Sequence, residues 1–126
     1  MKHPAEPDVT ALERIFHEPN RMAILSALCA ASENLTFTEL RGLSGLTDGN
    51  LSRHLKALED AGVIRIRKFF VGVKPRTTVA LTDKGLNRFD EYLCALSDVL
   101  RKAQQAVATD RRKSTAISVV GKRAFA

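Results

Sequence analysis

Two helix-start signals only eleven residues apart constrain this fold more than any other feature of the sequence. Thr36 is followed three positions later by Glu39, the capping-box pattern in which each side chain satisfies a backbone N–H of the other residue. Gly45 is expected to end this first helix, and Thr47 is expected to cap the next one after a tight turn. Two short helices joined so closely predict a helix-turn-helix.

The second helix, predicted over residues 47–62, is polar along most of its surface. Its apolar residues Leu51, Leu55 and Leu58 share one side, at steps of four and three. A polar helix face is usually only solvated, so this pattern alone leaves a binding role open. The rest of its surface carries small, hydrogen-bonding and basic residues, namely Gly49, Asn50, Ser52, Arg53 and Lys56.

The following segment predicts a two-stranded β-hairpin. Residues 63–71 alternate as a strand does, with Ile64 and Ile66 on one side and Arg65 and Arg67 on the other. The stretch VGVKP predicts the turn. The return strand alternates through three residues, Thr77, Val79 and Leu81.

The positive charge of the chain is concentrated in two segments. The net charge is +6, although residues 1–62 carry six basic and nine acidic side chains. Residues 63–81 carry five basic and no acidic side chains, and residues 109–126 carry five basic and one acidic. Such focused basic segments are typical of proteins that bind a polyanion.

A long helix is predicted over residues 82–109, beginning at Thr82 and Asp83. At about 1.5 Å per residue it would be about 40 Å long and would overhang so small a domain. It therefore predicts a two-fold homodimer, the alternative being a core helix that lies on its own domain. Its apolar residues step by three and four, the coiled-coil pattern, through Leu86, Phe89, Leu93, Leu96, Leu100, Ala103 and Val107.

Together these features predict a DNA-binding surface. The major groove of B-DNA is about 12 Å wide and admits one helix, whose N-terminal residues meet the base edges. Asn50 can pair with adenine and Arg53 with guanine, while Thr47 and Ser52 can donate to phosphate. Asp48 is expected to stabilise the first helical turn. The predicted DNA-binding residues are Thr36, Thr47, Gly49, Asn50, Ser52, Arg53, Lys56, Arg65, Arg67, Lys74 and Arg76.

The segment SRHLKALEDAGVI, followed by the basic hairpin and by LTDKG, resembles the winged-helix bacterial regulators of the MarR and ArsR groups. The resemblance covers about residues 19–100. Residues 52–64 are ArsR-like, whereas LTDKG and the long C-terminal helix are closer to small MarR-like proteins. The resemblance implies a dimeric transcriptional repressor or activator, often switched by a small ligand. It also implies that residues 47–56 and the wing residues Lys74 and Arg76 contact DNA.

Metal binding and catalysis are not expected. Metal-sensing ArsR proteins carry paired cysteines near the recognition helix, or His and Asp on the last helix, and this chain has neither pattern. Cys29 and Cys94 lie 65 positions apart in apolar helical patterns, which predicts buried or half-buried thiols. His54 is expected to be structural. With no Gly-rich phosphate loop, HExxH or GxSxG, the sequence predicts neither an enzyme nor a cofactor.

The predicted fold is mainly α with a small β-hairpin wing, an α+β winged helix-turn-helix with a long C-terminal dimerisation helix. Residues 8–81 are expected to form the DNA-binding domain and residues 82–109 the dimerisation helix. Residues 1–7 and 110–126 are expected to be flexible tails. Because the chain has no bilayer-spanning apolar run and no signal peptide, the sequence predicts a cytoplasmic protein.

The predicted function is a dimeric, sequence-specific transcriptional regulator, a repressor that binds a palindromic operator. Its predicted partners are double-stranded DNA and a second copy, with a small-molecule effector left open. One alternative is a protein-interaction module on the same fold. Another is a non-specific architectural DNA binder that uses Phe69 and Phe70 as wedges, although both rings are expected to pack in the core or under the wing.

Overall fold

The computed structural model describes residues 13–125, with the side chains of residues 13–113. The predicted tail over residues 1–7 and the first residues of the predicted DNA-binding domain, 8–12, lie outside this part of the chain. The predicted fold class is confirmed, since the helices are combined with a small antiparallel sheet. In chain order the elements are α1 (Pro19–Ala30), β1 (Leu35–Thr36), α2 (Phe37–Ser44), α3 (Asp48–Asp60), β2 (Ile64–Val71), β3 (Lys74–Leu81) and α4 (Asp83–Phe125).

The predicted starts of α2 and α3 are confirmed. The Thr36 hydroxyl accepts the Glu39 backbone N–H at 3.1 Å, and the Glu39 carboxylate accepts the Thr36 N–H at 3.0 Å. The Thr47 hydroxyl accepts the Asn50 N–H at 3.2 Å. Gly45 forms the C-cap of α2 with a left-handed φ of 70°, so the chain turns directly into α3.

The predicted hairpin is confirmed, but it belongs to a three-stranded sheet of order β1-β3-β2. Strand β1 was not predicted, because two residues are too few to show a strand periodicity. The turn is also shorter than VGVKP suggested. Val71 pairs with Lys74, and only Gly72 and Val73 lie between them. Gly72 has a φ of 63°, which suits a two-residue hairpin turn.

The LTDKG segment fixes how α4 meets the rest of the fold. The Thr82 hydroxyl donates to the Gly62 carbonyl at 2.7 Å and accepts the Gly85 N–H at 2.9 Å, so it caps α4 and ties it to the end of α3. A Cβ at Gly85 would overlap the backbone of Val63, lying 2.7 Å from its carbonyl carbon. Glycine therefore allows the first turn of α4 to lie against the chain that enters β2.

Arg88 joins three parts of the molecule. Its guanidinium contacts the Glu13 carboxylate at 2.6 Å and donates to the Ala61 carbonyl, the C-cap of α3, at 2.9 Å. It also lies 5.6 Å from the centre of the Phe16 ring. The hydrogen bonds with Glu13 raise the pKa of Arg88. The end of α3 is thereby fixed to α4 as well as to the core.

An aromatic cluster fills the core beneath α4. The rings of Phe16, Phe89 and Tyr92 lie with centroids 5.5 to 6.2 Å apart. Phe89 is only 2% exposed, so the prediction that it belongs to the dimer seam is wrong. The heptad pattern could not distinguish residues that pack against the core of the same subunit from residues that pack against a second copy, because the two sides of α4 adjoin each other.

Four residues that were predicted to be buried or half-buried, two cysteines and two phenylalanines, are exposed instead, and so is the apolar Leu43 of α2. Leu43 is 65% exposed, and the thiols of Cys29 and Cys94 are also exposed. Phe69 and Phe70 are 42% and 72% exposed. Leu43, Cys29 and Cys94 lie at the edges of the buried sides of their helices, which are narrower than the apolar pattern of the sequence suggested. The two rings lie on the part of the hairpin that extends past the core.

Helix α4 continues through 43 residues, a length of about 65 Å. The helix therefore runs past residue 109, where the sequence predicted that it would end. The apolar periodicity fades after Val107, but no proline lies beyond that point to interrupt the helix. Periodicity reports which side of a helix is buried, not whether its backbone is helical. None of the helices described here is long and apolar enough to cross a membrane.

Candidate nucleic-acid interface

Helix α3 has one buried side, and its opposite side is continuously exposed. Leu51, Leu55 and Leu58 are at most 2% exposed and anchor the helix in the core, as the sequence predicted. Above Gly49 nothing lies within 4 Å of the position that a Cβ would occupy, so the backbone is accessible there. The predicted contact residues Gly49, Asn50, Ser52, Arg53 and Lys56 are all exposed.

His54 anchors α3 to the start of α1. It is 5% exposed, and its Nδ1 accepts the Arg21 Nε–H at 3.2 Å. The Glu18 carboxylate, which caps α1 through the Arg21 N–H, lies 3.9 Å from the same Nδ1. Burial raises the pKa of Glu18, but hydrogen bonds from the backbone N–H groups of Arg21 and Asn20, together with electrostatic attraction to the His54 and Arg21 side chains, lower it by more, and the net shift is downward. His54 therefore holds the orientation of α3, the structural role that the sequence predicted.

The polar groups of the exposed face are held in weak local contacts. Arg53 Nη2 lies 3.4 Å from the Asn50 side-chain oxygen, and Lys56 lies 3.2 Å from the Asp60 carboxylate. The Thr47 hydroxyl accepts one hydrogen bond as a cap and keeps its own O–H to donate. Because exposed contacts of this kind contribute little to stability, another acceptor could replace them easily.

The one acidic residue in the first turn of α3 is already paired. Arg41 of α2 lies 2.8 Å from the Asp48 carboxylate, and both side chains are exposed. The sequence predicted that Asp48 stabilises the positive end of the helix, and its place in the first turn fits that role. The Arg41 partner was not predicted, because the contact depends on how α2 and α3 cross. Together the two charges leave this end of α3 electrically near neutral.

The outer face of the hairpin is cationic. Residues directly opposite each other in an antiparallel pair share a face, and Phe69 pairs with Arg76 while Val71 pairs with Lys74. Side chains alternate along β2, so Arg65 and Arg67 lie on that same face. All four predicted wing cations, Arg65, Arg67, Lys74 and Arg76, are therefore exposed on one side of the sheet.

A groove of about 680 Å³ separates α3 from the inner face of the hairpin. Phe37, Leu55 and Ile66 lie at its apolar floor, and Ser52, Lys56, Glu59, Lys68 and Thr77 line the rest. Lys68 was not among the predicted contact residues. Lys68 lies two residues after Ile66 in the same strand, so both side chains point to the same face, and this alternation could have predicted Lys68 in the groove.

Thr36 differs from the other predicted contact residues. Its side chain is half-buried, its backbone pairs with Thr78, and its hydroxyl caps α2. It lines a second groove with Glu39, Lys74 and Arg76 at the edge of the sheet. The structure thus brings Thr36 beside the wing rather than beside α3.

The predicted seam on α4 divides into two sets. Leu86, Leu93, Leu100 and Val107 recur every seven residues and are 48%, 40%, 51% and 52% exposed. Ala103 is exposed, whereas Leu96 is half-buried against the core. The exposed set forms one line along α4, and no side chain described here covers it. Within the same residues, no three His, Cys, Asp or Glu side chains are grouped as metal ligands would be.

A helix-turn-helix followed by a β-hairpin and a long helix defines the winged-helix class. The chain matches the family of the winged helix DNA-binding domain over residues 20–100. It is 36% identical over 80 residues to the uncharacterised protein MJ0432 of Methanocaldococcus jannaschii, covering 64% of this chain and 86% of that protein. The chain belongs to this winged helix DNA-binding domain family.

Solved structures confirm the resemblance to the MarR group. A transcriptional regulator homologue from Pyrococcus horikoshii OT3 superposes with a TM-score of 0.64 at 25% identity, covering 75% of this chain and 93% of that chain. A MarR family transcriptional regulator from Silicibacter pomeroyi superposes with a TM-score of 0.54 at 26% identity, covering 82% and 66%. The chain is therefore a winged-helix protein similar to MarR-type transcriptional regulators.

Proposed function

We propose that this protein is a dimeric, sequence-specific transcriptional regulator that binds two-fold-symmetric operator DNA. Helix α3 enters the major groove, and the β2–β3 hairpin lies on the adjacent backbone or minor groove as a wing. One observation carries the proposal. Ser52 and Lys56 of the exposed face of α3 and Lys68 of the hairpin line a common groove, and Asp48, the acid in the first turn of α3, is paired with Arg41.

The proposal divides the contacts between bases and phosphates. Asn50 and Arg53 lie side by side on the first turns of α3, where a recognition helix meets base edges. Asn suits adenine and Arg suits guanine, each through two hydrogen bonds. Thr47, Ser52 and Lys56 donate to phosphates on either side of them. These phosphate contacts set the register of α3 but carry no sequence information.

The wing supplies further backbone contacts. Arg65, Arg67, Lys74 and Arg76 are exposed on its outer face, and Lys68 faces the groove. If each subunit neutralises about five phosphates, the logarithm of the affinity should fall with the logarithm of salt concentration at a slope near −9 for the dimer. A slope shallower than about −3 would contradict this contact count.

The dimer is proposed to form along α4. The exposed line of Leu86, Leu93, Leu100 and Val107 keeps the seven-residue spacing of a coiled-coil seam. A two-fold axis brings the same surface of both copies together, so the second helix offers an apolar line with the same spacing. The two α3 helices would then lie one DNA turn apart, about 34 Å, in successive major grooves.

We propose repression as the sign of regulation, since a dimer on two adjacent half-sites covers about 20 base pairs and blocks other proteins there. Because the proposed partner is genomic DNA, the expected location is the cytoplasm. A small-molecule effector is compatible with this function.

The test is selection from a random duplex library at about 150 mM salt, with sequencing of the DNA that the purified full chain retains. An enriched inverted repeat with half-sites about ten base pairs apart is the expected result. Retention without an enriched motif would contradict sequence-specific binding. No retention at all would contradict DNA binding and favour a protein-interaction module.

A further inference from the structure

The far end of the hairpin is apolar, although it extends into solvent. Phe70 is 72% exposed, Val71 is 51% exposed and Val73 is 92% exposed. These three residues surround the turn at Gly72 and are called the wing tip below. Phe70 and Val71 lie on opposite faces of the hairpin and Val73 lies in its turn, so apolar side chains are exposed on both sides of its end. Exposed apolar groups of this kind usually mark a contact site.

The wing tip projects well beyond the core. The last deeply buried strand residues are Ile64 in β2 and Val79 in β3, and Val79 pairs with Ile66. Five further residue pairs, from Arg67–Thr78 to Val71–Lys74, continue the ladder past that point. At about 3.4 Å per residue, this arm is about 17 Å long.

Cations surround the wing tip, and acids are absent from it. No acidic residue occurs between Asp60 and Asp83, while Arg67, Lys68, Lys74 and Arg76 lie directly behind the tip. A complementary partner is therefore anionic at its rim and offers apolar surface between the anions. The minor groove of duplex DNA has this composition, with phosphates at its edges and sugars and stacked bases within.

The dimensions agree with that partner. Two paired strands lie about 4.8 Å apart, and the minor groove of B-DNA is about 6 Å wide and 7.5 Å deep. Two strands with their side chains are wider than this groove, so the strands stay at its mouth and only the exposed side chains of the tip reach into it. The arm begins at the groove it shares with Ser52 and Lys56 of α3, so it is aimed at the duplex that α3 contacts in the proposed function.

From these observations we infer that the exposed side chains of the wing tip enter the minor groove and that Phe70 acts as an apolar wedge against a base step. The inference rests on the proposed function, because it needs α3 on the same duplex. Such wedges unstack a step and bend the DNA. Pyrimidine–purine steps unstack most easily, so the tip contributes selectivity for these steps without hydrogen bonds to them.

The test compares the full-length protein with the double variant Phe70→Ala, Val73→Ala on the duplex selected from the random library. An adenine beneath the wing is replaced by 2-aminopurine, whose fluorescence rises on unstacking. The wild type should raise the fluorescence, and the variant should not. The variant should bind at least about 10-fold more weakly, because it loses buried apolar area. Its salt slope should be unchanged, because it keeps every cation.

Two control variants separate a wedge from other effects. Leu43→Ala truncates an apolar side chain of α2 that is 65% exposed, and it should match the wild type in affinity and fluorescence. Lys74→Ala should make the salt slope shallower by about one phosphate contact and keep the fluorescence rise. Thermal melting checks that each variant is folded, which is expected because all of these side chains are exposed.

Three results would overturn the wedge and leave the proposed function standing. The first is a tip variant that matches the wild type in affinity and fluorescence. The second is a change in mass by light scattering without DNA, which would assign the tip to a second copy. The third is loss of binding to phosphatidylserine vesicles with unchanged DNA binding, which would assign it to a membrane. Failure of the wild type to retain any duplex would overturn both proposals.

Discussion

At the scale of single residues, Gly85 shows how an absent side chain sets a tertiary contact. Replacing it by Ala should lower the free energy of unfolding by about 1–3 kcal/mol, because the new Cβ meets the backbone of Val63, which has little freedom to move. Urea denaturation of the variant measures this change.

Gly49→Ala is the matched control for that substitution. The position is helical and open, with nothing within 4 Å of the new Cβ. Stability should therefore rise, by up to about 1 kcal/mol, through helix propensity alone. Operator affinity should fall, because the proposal places DNA against this backbone. Equal losses of stability in the two variants would contradict the steric account of Gly85.

Asp48 is a residue whose substitution should strengthen DNA binding, whereas the other substitutions in the proposed interface should weaken it. Asp48→Asn removes a negative charge that faces the proposed phosphates and releases Arg41, now 2.8 Å away. Affinity for random duplex DNA should rise, and the salt slope should become steeper by about one contact. Filter binding at several salt concentrations measures both. Unchanged or weaker binding would place this turn of α3 away from the DNA backbone.

At the scale of elements, the cap of α2 makes stability depend on pH. Hydrogen bonds from the Thr36 backbone and side chain hold the pKa of Glu39 below its ordinary value. A carboxyl with a depressed pKa stabilises the fold above its unfolded pKa, and this contribution is lost as the pH falls through the folded pKa. The contribution should therefore be complete at neutral pH and lost below about pH 4.

Glu39→Gln tests this sign, because glutamine keeps the capping geometry but does not titrate. The wild type should have the higher urea midpoint at pH 7, and the two proteins should converge near pH 3. A difference that stays constant over this range would mean that the charge of Glu39 does not stabilise the cap.

The elements that the sequence predicted well are those defined by local chemistry. The caps at Thr36 and Thr47 and the leucine stripe of α3 depend on residues only a few positions apart, so their patterns were sufficient. Strand β1 was missed because its two residues gain their structure from β3. The full length of α4 was missed because its later turns carry no apolar stripe.

In the predicted site, too, features set by local sequence were predicted, and features set by contacts between elements were not. The exposed face of α3 and the wing cations followed from helix and strand periodicity, and the structure exposes them as expected. The Arg41–Asp48 pair, the place of Lys68 in the groove and the His54–Arg21 contact did not follow. Each depends on how two elements meet, which is information that a periodicity does not contain.

At the scale of the whole molecule, the exposed line on α4 predicts the assembly. Leu93→Glu, Leu100→Glu should raise the dimer dissociation constant at least about 100-fold, since four leucines per dimer lose their burial and charges of one sign meet. Gln105→Glu, which adds a charge on another side of the same helix, should leave it unchanged. Analytical ultracentrifugation of the wild type and the two variants measures the dimer dissociation constant. A double variant that stays dimeric would show that this line of α4 is not the interface.

In the proposed complex, two copies of α3 bind bases in a two-fold-symmetric operator. The most direct test repeats the random-library selection with Arg53→Ala beside the wild type. The motif of the variant should keep its spacing but lose its preference at one base pair in each half-site, at symmetry-related places, which is a discrimination of about 1–3 kcal/mol per position. An unchanged motif, or a uniform loss of affinity with every preference kept, would contradict base recognition by α3.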